Sequence, residues 1–278
     1  MTAPEHTDFS AFTDKEWEKL LADSFLGDVP DGISLPGFPP REVIEQTNGR
    51  FDRSVMGQAA RFYQLVKALA AKHGPALQRE TKLLDFGCGW GRILRYFLKE
   101  VSPENLFGSD LSSSKIGHCR EQMAGFGQFT VNSKLPPLGF PDNTFDIIYA
   151  QSVFSHLSKK YADAWAEELA RVLRPSGLIC LTTLKKDDVI SPESAASEDM
   201  SAYRRSLIEA FSREPEQTEN YRERGIAFVP TSQTYTDWGH AALSEQYAND
   251  NWSSFGLEQV EWIENDYPQA ITVLRGKS

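Results

Sequence analysis

The chain has 278 residues, 40% of them hydrophobic and 24% charged, which suits one substantial buried core and excludes the composition of a disordered chain. Twenty-nine basic against thirty-nine acidic residues leave a net charge of −10, the wrong sign for a surface that gains affinity by neutralising phosphates, so no nucleic-acid partner is expected. No apolar run approaches the roughly 18 residues of a membrane span, the start MTAPEHTDFSAF has no signal-peptide pattern, and Cys88, Cys119 and Cys180 are too far apart for a disulfide framework or zinc site, so a cytoplasmic protein with no membrane partner and no metal is expected.

Thr13 with Glu16 three residues on predicts a capping box, and Trp17, Leu20, Leu21 and Phe25 give the helix behind it an apolar face that ends at Gly27. VPDGISLPGFPP, residues 29–40, cannot continue a helix and reads as a loop or linker. A second helix is expected over about 53–72, with Val55, Ala59, Phe62, Val66 and Leu69 on one face and Gly74-Pro75 as its stop.

From Lys82 the pattern changes to short apolar runs separated by helices. KLLDFG, NLFGSD, QFTVN, FDIIYA and GLICLTT read as strands, with helices at GRILRYFLKE, after Ser113 and after Ser158. Such alternation predicts parallel strands joined by right-handed crossovers. Residues 185–240 break the rhythm. They hold a helix near Ala202 to Phe211 and two basic stretches, Tyr203 to Arg205 and Arg222 to Arg224, which read as solvated helix faces. A helix near Ala241 to Trp252 and the strands LEQVEWIEN and QAITVLRG follow.

The expected fold is therefore α/β, a doubly wound, mostly parallel seven-stranded sheet with helices on both faces, plus N-terminal helices and an inserted cap. In this reading residues 1–50 form an N-terminal extension and part of the cap, 51–184 the ligand-binding core, 185–240 the inserted cap, and 241–278 the helix and strand pair that complete the core.

The chemistry concentrates in LLDFGCGWGRIL, residues 83–94, where a strand ends at Asp85 and a glycine-rich turn opens what reads as a helix. Gly87, Gly89 and Gly91 clear side chains from a ligand's path, and the following helix is expected to offer free N–H groups to a nucleotide-like ligand. The spacing is GxGxG and not the GxGxxG of dinucleotide binders, and Asp85 would repel a pyrophosphate while matching a cationic amino group. Asp110, at the end of NLFGSD, lies at the sequence distance where an acid accepts from ribose hydroxyls; capping the next helix is its alternative role.

On the loop DFGCGWG, the acid of SDLS, the segment LPPLGFPDNTFDIIYAQSVFSHLS and the stretch ARVLRPSGLICLTT, the chain resembles the class I S-adenosylmethionine-dependent methyltransferases over about residues 80–184. The resemblance implies S-adenosyl-L-methionine as cofactor, with Asp85, Gly87, Cys88, Gly89 and Gly91 around its methionine part, Asp110 and Leu111 at ribose and adenine, Asn132 and Ser133 beside adenine, and Gln151 at the end of the fourth strand. Many relatives carry an acid where this chain has Asn132, whose side-chain carbonyl can accept the same hydrogen bond. Cys88 reads as a small packing residue, and Asp146 as the structural start of the fourth strand.

Methyl transfer needs a general base only for acceptors such as an aliphatic hydroxyl. His156 in SVFSHLS is the first candidate, with a structural role for it left open, and His240 in YTDWGHAAL is the second; Tyr235, Asp237 and Trp238 beside it line a pocket or pack cap against core. The expected function is O-methylation of a small-molecule hydroxyl, in a sugar-containing or secondary-metabolite substrate. Small-molecule N-methylation, a nicotinamide-dependent oxidoreductase and a non-catalytic S-adenosylmethionine-binding protein are the alternatives. Neither the oligomeric state nor the acceptor is legible in the sequence.

Overall fold

The computed structural model describes residues 8–190, 202–232, 234, 236–265 and 267–277. Part of the expected cap, 191–201, and Tyr235 lie outside the described residues. The strands build a mostly parallel seven-stranded sheet in the order β3-β2-β1-β4-β5-β9-β8 and a separate two-stranded sheet β6-β7. This is the doubly wound α/β class. The chain divides into two compact units, 1–132 with 145–147 and 133–144 with 148–278.

The first unit opens with α1 (Asp14–Phe25). Its predicted capping box is present: Glu16 N donates to Thr13 Oγ1 at 3.3 Å and Thr13 N to Glu16 Oε2 at 2.8 Å, so two otherwise unpaired amides are satisfied. Trp17, at 0% exposure, donates from its indole to the Tyr96 carbonyl at 2.8 Å. A short helix, α2 (Arg41–Asn48), ends at Gly49; the sequence reading gave it no place, because only Ile44 in it is buried and no apolar stripe marks it. Then come α3 (Arg53–His73), β1 (Leu83–Phe86), β2 (Leu106–Asp110), α4 (Ser113–Gln122) and β3 (Gln128–Val131). β1 pairs parallel with β2, setting Asp85 beside Gly108, and β2 pairs parallel with β3, setting Asp110 beside Val131.

GRILRYFLKE, expected as a helix, is instead a 3-10 turn over Leu94–Lys99. Arg95 supplies the reason. Its Nε donates to the Gly91 carbonyl at 3.2 Å while its own backbone N–H reaches that carbonyl only at 3.4 Å, so the side chain competes for the acceptor an α-helix would use.

Asp146 anchors the start of β4 (Phe145–Ala150). Its Oδ2 accepts from Lys82 N at 2.8 Å, and its own N–H donates to the Lys82 carbonyl at 2.9 Å, which supports the structural reading of this residue.

The second unit holds the latter half of β4, then α5 (Lys159–Val172), β5 (Leu173–Thr183), α6 (Lys186–Ile190), α7 (Ala202–Arg213), α8 (Pro215–Arg224), β6 (Ile226–Pro230), β7 (Gly239–Leu243), α9 (Glu245–Trp252), β8 (Leu257–Ile263) and β9 (Ala270–Gly276). β9 pairs antiparallel with both β5 and β8. The helix expected from Ala241 begins only at Glu245, with Ser244 as its N-cap. Ala241 to Leu243 are strand because they pair with β6, and Ala242 joins Leu184, Val189, Leu207, Phe211, Tyr221, Ala227 and Val229 in a buried cluster. The elements from α6 to β7 thus share one buried cluster, with α8 and the β6-β7 hairpin as elements that the polar sequence concealed.

Within this unit Glu168 organises the segment before β4. It is 5% exposed and accepts from Leu138 N at 2.6 Å and from Arg171 through both carboxylate oxygens, at 2.8 and 2.6 Å. Arg171 also donates to the Phe140 carbonyl at 3.0 Å and to Asp142 at 2.5 Å. Glu168→Ala strands a buried amide and a part-buried guanidinium, so a loss of about 3 kcal/mol is expected from urea unfolding. A loss under about 0.5 kcal/mol would show that this network is not holding the segment.

Candidate active site

In the first unit the glycine loop leaves β1 with Gly87, Gly89 and Gly91 at φ of 81°, 57° and 76°, backbone angles that glycine adopts without the steric cost of a Cβ. A Cβ placed on Gly89 meets no heavy atom within 4 Å among the described residues, whereas one on Gly91 meets Met123 Sδ at 2.4 Å. The loop is thus open at Gly89 and backed by side chains at Gly91.

The loop's amides are already engaged. Gly87 and Cys88 N donate to the Ser109 carbonyl at 2.7 and 3.0 Å, Gly91 N to the Cys88 carbonyl at 2.9 Å, and Gly89 N to Asp110 Oδ2 at 2.9 Å. Four of the loop's amide donors are thus spent within the protein, and the segment behind it is a 3-10 turn where a helix was expected. A pyrophosphate needs such donors; a ligand recognised by carboxylates and shape does not. Asp85 is 2% exposed at the end of β1 and Asp110 is half-buried at the end of β2, so the site offers carboxylate acceptors, which fit the ammonium group and ribose hydroxyls of S-adenosylmethionine.

Asp110 has a second bond, Oδ1 accepting from Ser112 N at 2.8 Å, which combines the capping and loop-holding roles in one carboxylate. Ser109 Oγ donates to Asn132 Oδ1 at 2.7 Å, which orients the Asn132 amide. Leu111 is exposed by 51%, an apolar surface available to a flat base. Cys88 is buried with its thiol held above its ordinary range by Cys119 and by burial, as a packing residue should be and a reactive one is not.

The second unit brings His156 against Trp238 and His240, which lie 82 and 84 positions further along the sequence. The chain at 155–157 runs against β7: Ala241 N donates to the Ser155 carbonyl at 2.8 Å, Gly239 N to the His156 carbonyl at 3.0 Å, and Leu157 bridges Trp238. His156 Nδ1 lies 2.8 Å from the Gly239 carbonyl. A carbonyl only accepts, so Nδ1 carries the proton and the neutral ring keeps its lone pair on Nε2. The ring stacks on Trp238, centroids 4.7 Å apart at 15°, and sits 6.4 Å from His240. Tyr203 meets His240 edge-on at 5.9 Å. Asp237 is held from α5 by the Tyr161 hydroxyl at 3.1 Å.

His240 is 6% exposed and its Nδ1 is buried with no hydrogen-bond partner among the described residues. Burial, then the neighbouring His156, push its pKa down to about 4; burial lowers His156 too, against the Gly239 bond. Both rings are therefore neutral near pH 7. Between about 6.5 and about 4 an unfolded chain protonates at position 240 and the folded one does not, so this contribution to stability is full above the upper value and is lost as pH falls toward the lower. Urea midpoints of His240→Gln, measured from pH 7 to pH 4.5, are expected to fall less steeply than those of the unaltered chain; parallel profiles would contradict the burial of a neutral ring.

Gln151 lies half-buried at the end of β4. Directly after it Ser152 sits at φ 58°, its N–H donating to Thr182 Oγ1 at 2.7 Å, and Thr182 in turn donating to Gln269 Oε1 at 2.7 Å. Gln269 closes the ring to Ser152 Oγ at 3.4 Å. A strained non-glycine residue at a strand's carboxyl end is a common mark of a functional turn. Nothing local in the sequence pointed to it, because Gln269 is 117 positions from Ser152.

Residues 83–177 match the family model described as a methyltransferase domain. A fatty-acid O-methyltransferase from Mycolicibacterium smegmatis is 34% identical over 114 residues, 40% of this chain and 40% of that protein. A malonyl-[acyl-carrier protein] O-methyltransferase from Enterobacter lignolyticus is 28% identical over 145 residues, 49% of this chain and 54% of the relative. The match thus spans well under two thirds of either relative. Among solved structures, an S-adenosylmethionine-dependent methyltransferase from Methanosarcina mazei superposes with a TM-score of 0.51 at 17% identity, covering 75% of this chain and 97% of its own. Residues 83–177 are thus a methyltransferase domain by sequence, and the seven-stranded sheet shares the fold of that S-adenosylmethionine-dependent enzyme. No helix of the described residues is long and apolar enough to cross a membrane, and no cluster of His, Cys, Asp and Glu among them could hold a metal ion.

Proposed function

We propose that the protein transfers the methyl group of S-adenosylmethionine to a hydroxyl of a small molecule, in the sugar-containing or secondary-metabolite class, with His156 as the base. The cofactor supplies an electrophilic methyl on a sulfonium; the chain's residues bind, orient and take up the acceptor's proton. The observation that carries the reading is the Nδ1 bond of His156 to the Gly239 carbonyl, which leaves Nε2 as a lone-pair acceptor in a half-buried ring. Trp238, 46% exposed and stacked on that ring, offers a flat apolar face to an acceptor, and Asp237 is fixed beside it. Acceptor choice is assigned to the inserted segment around Asp237 and Trp238. Asp85, Gly87, Gly89, Gly91, Asp110, Leu111 and Asn132 are assigned to the cofactor, with Ser133 and Gln151 as its further contacts.

The two O-methylating relatives carry names that point to carboxyl acceptors, and a carboxylate needs no base. Tritiated-methyl S-adenosylmethionine, offered with panels of alcohols, phenols, carboxylic acids and amines, separates the cases. The expected product is an ether whose label survives mild alkali. Label released by alkali marks an ester, and label fixed on nitrogen marks an N-methyltransferase; either replaces the hydroxyl reading. A thermal shift with S-adenosylhomocysteine and none with NAD is expected, and the reverse would overturn the cofactor assignment.

A further inference from the structure

Arg95 is a complete guanidinium with 0% exposure and no carboxylate among its partners. It donates from Nη1 to the Gly37 carbonyl at 3.0 Å and from Nε to the Gly91 carbonyl at 3.2 Å, while its plane lies 4.2 Å from the centre of the Phe38 ring and 5.1 Å from that of Trp90. Nη2 is buried without a hydrogen-bond partner among the described residues. Burying a charge in this way is costly unless carbonyls and ring faces offset it, and an apolar side chain would fill the same space at less cost. What the guanidinium adds is a physical link between two segments 58 positions apart.

Trp90 is the side chain inside the glycine loop, between Gly89 and Gly91, and it is 2% exposed. Besides Arg95, its ring and indole partners come from the N-terminal stretch. Phe25 stacks on it at 6.5 Å and 11°, Phe38 meets it edge-on at 6.2 Å, and Asn48 Oδ1 accepts from its indole at 3.1 Å. Phe51 packs on Phe25 at 4.6 Å and is itself covered by Arg41 at 5.2 Å. At the far side Gly37 N donates to the Gln122 carbonyl at 2.6 Å, where a Cβ on Gly37 would meet Gln122 Oε1 at 2.5 Å. Residues 25–51 are thus a strap fastened to α4, to Trp90 and to Arg95.

We propose that Arg95 is a positioning residue for the cofactor loop, holding the Gly91 carbonyl and the Trp90 ring in place and making that loop geometry depend on the strap through Gly37 and Phe38. The inference rests on the reading that the loop receives S-adenosylmethionine. Its physical ground is that a loop with three glycines at positive φ has little rigidity of its own, so its binding shape must be imposed by what packs against it. Coupling is reciprocal: if the strap favours the binding shape, the cofactor favours the closed strap.

The test uses the full chain with S-adenosylhomocysteine as probe, and reads affinity by calorimetry, thermal midpoint, and hydrogen exchange of residues 25–51. Arg95→Met and Phe38→Leu are expected to weaken binding by about tenfold, within the usual range of coupling between sites. Arg95→Lys should restore only part, because an ammonium cannot present a plane to two rings and reach both carbonyls. Val66→Ala, in the buried face of α3, is the control: it should lower the thermal midpoint and leave affinity unchanged. Bound probe should slow exchange across the strap in the unaltered chain and lose that effect in Arg95→Met. Folded variants that bind as tightly as the unaltered chain, or a strap whose exchange ignores the probe, overturn the inference. Should Arg95→Met fail to fold, Phe38→Leu, at a half-buried strap position, gives the same decision. If the unaltered chain itself does not bind the probe, the cofactor assignment fails and the positioning role fails with it; if it binds and the variants match it, only the positioning role fails.

Discussion

Asp110→Ala is expected to weaken S-adenosylmethionine binding by about 1.5 to 3 kcal/mol, roughly tenfold to 150-fold in Kd, the range of charge-assisted hydrogen bonds. Two effects contribute. The ribose loses an acceptor at the end of β2, and the glycine loop loses the tether from Asp110 Oδ2 to Gly89 N. Asp110→Asn isolates the tether, because an amide can keep its carbonyl oxygen on the Gly89 N–H but turns a donor toward the ligand and toward Ser112 N, where Oδ1 now accepts. If Asn recovers most of the affinity, the tether dominates; if it behaves like Ala, the contacts of Oδ1 do. Calorimetry on a folded Asp110→Ala variant that shows unchanged affinity would remove Asp110 from the cofactor site.

The parts of this site that could be read without coordinates are those whose determinants are local. A strand ending in Asp85, glycines at alternate positions and an acid closing the next strand are all written within about 30 residues, and so is the Thr13 and Glu16 capping box. The misreadings share one cause, a backbone or side-chain partner that apolar periodicity does not encode. GRILRYFLKE has helical periodicity, yet Arg95 turns inward to Gly91 and Gly37 and tightens the turn. Ala241 to Leu243 are small and apolar enough for a helix, but β6 claims their backbone. The neighbourhood of His156 and Trp238 was half-visible: each residue was singled out, while their stacking depends on an antiparallel pairing across about 80 residues. Trp90 was passed over as one residue of a motif, because its environment lies in a stretch whose prolines and glycines read only as linker.

His156→Ala is expected to lower the rate of methyl transfer to a hydroxyl acceptor by roughly a hundredfold or more, with cofactor affinity nearly unchanged. The geometry gives the reason in two steps. The Gly239 carbonyl fixes the Nδ1–H tautomer at 2.8 Å, and stacking on Trp238 fixes the ring plane, so Nε2 is presented as a fixed lone pair. Burial lowers the His156 pKa from 6.5, so the ring is in its basic form at neutral pH, and the rate should fall only as pH drops through that lowered value. His156→Gln, which retains bulk and hydrogen bonding without basicity, should be as slow as Ala and should lose the acid limb of the pH profile. His240 is the necessary comparison. Its buried ring, with a pKa near 4, is poorly placed to take a proton from an acceptor in solution, so His240→Gln should alter the rate only through the shape of the wall behind His156. A rate loss confined to the His240 variant would transfer the base role there. If both single variants and the double variant turn over normally, no base is used, and the acceptor is then a carboxylate, an amine or an already acidic hydroxyl held in line by positioning alone.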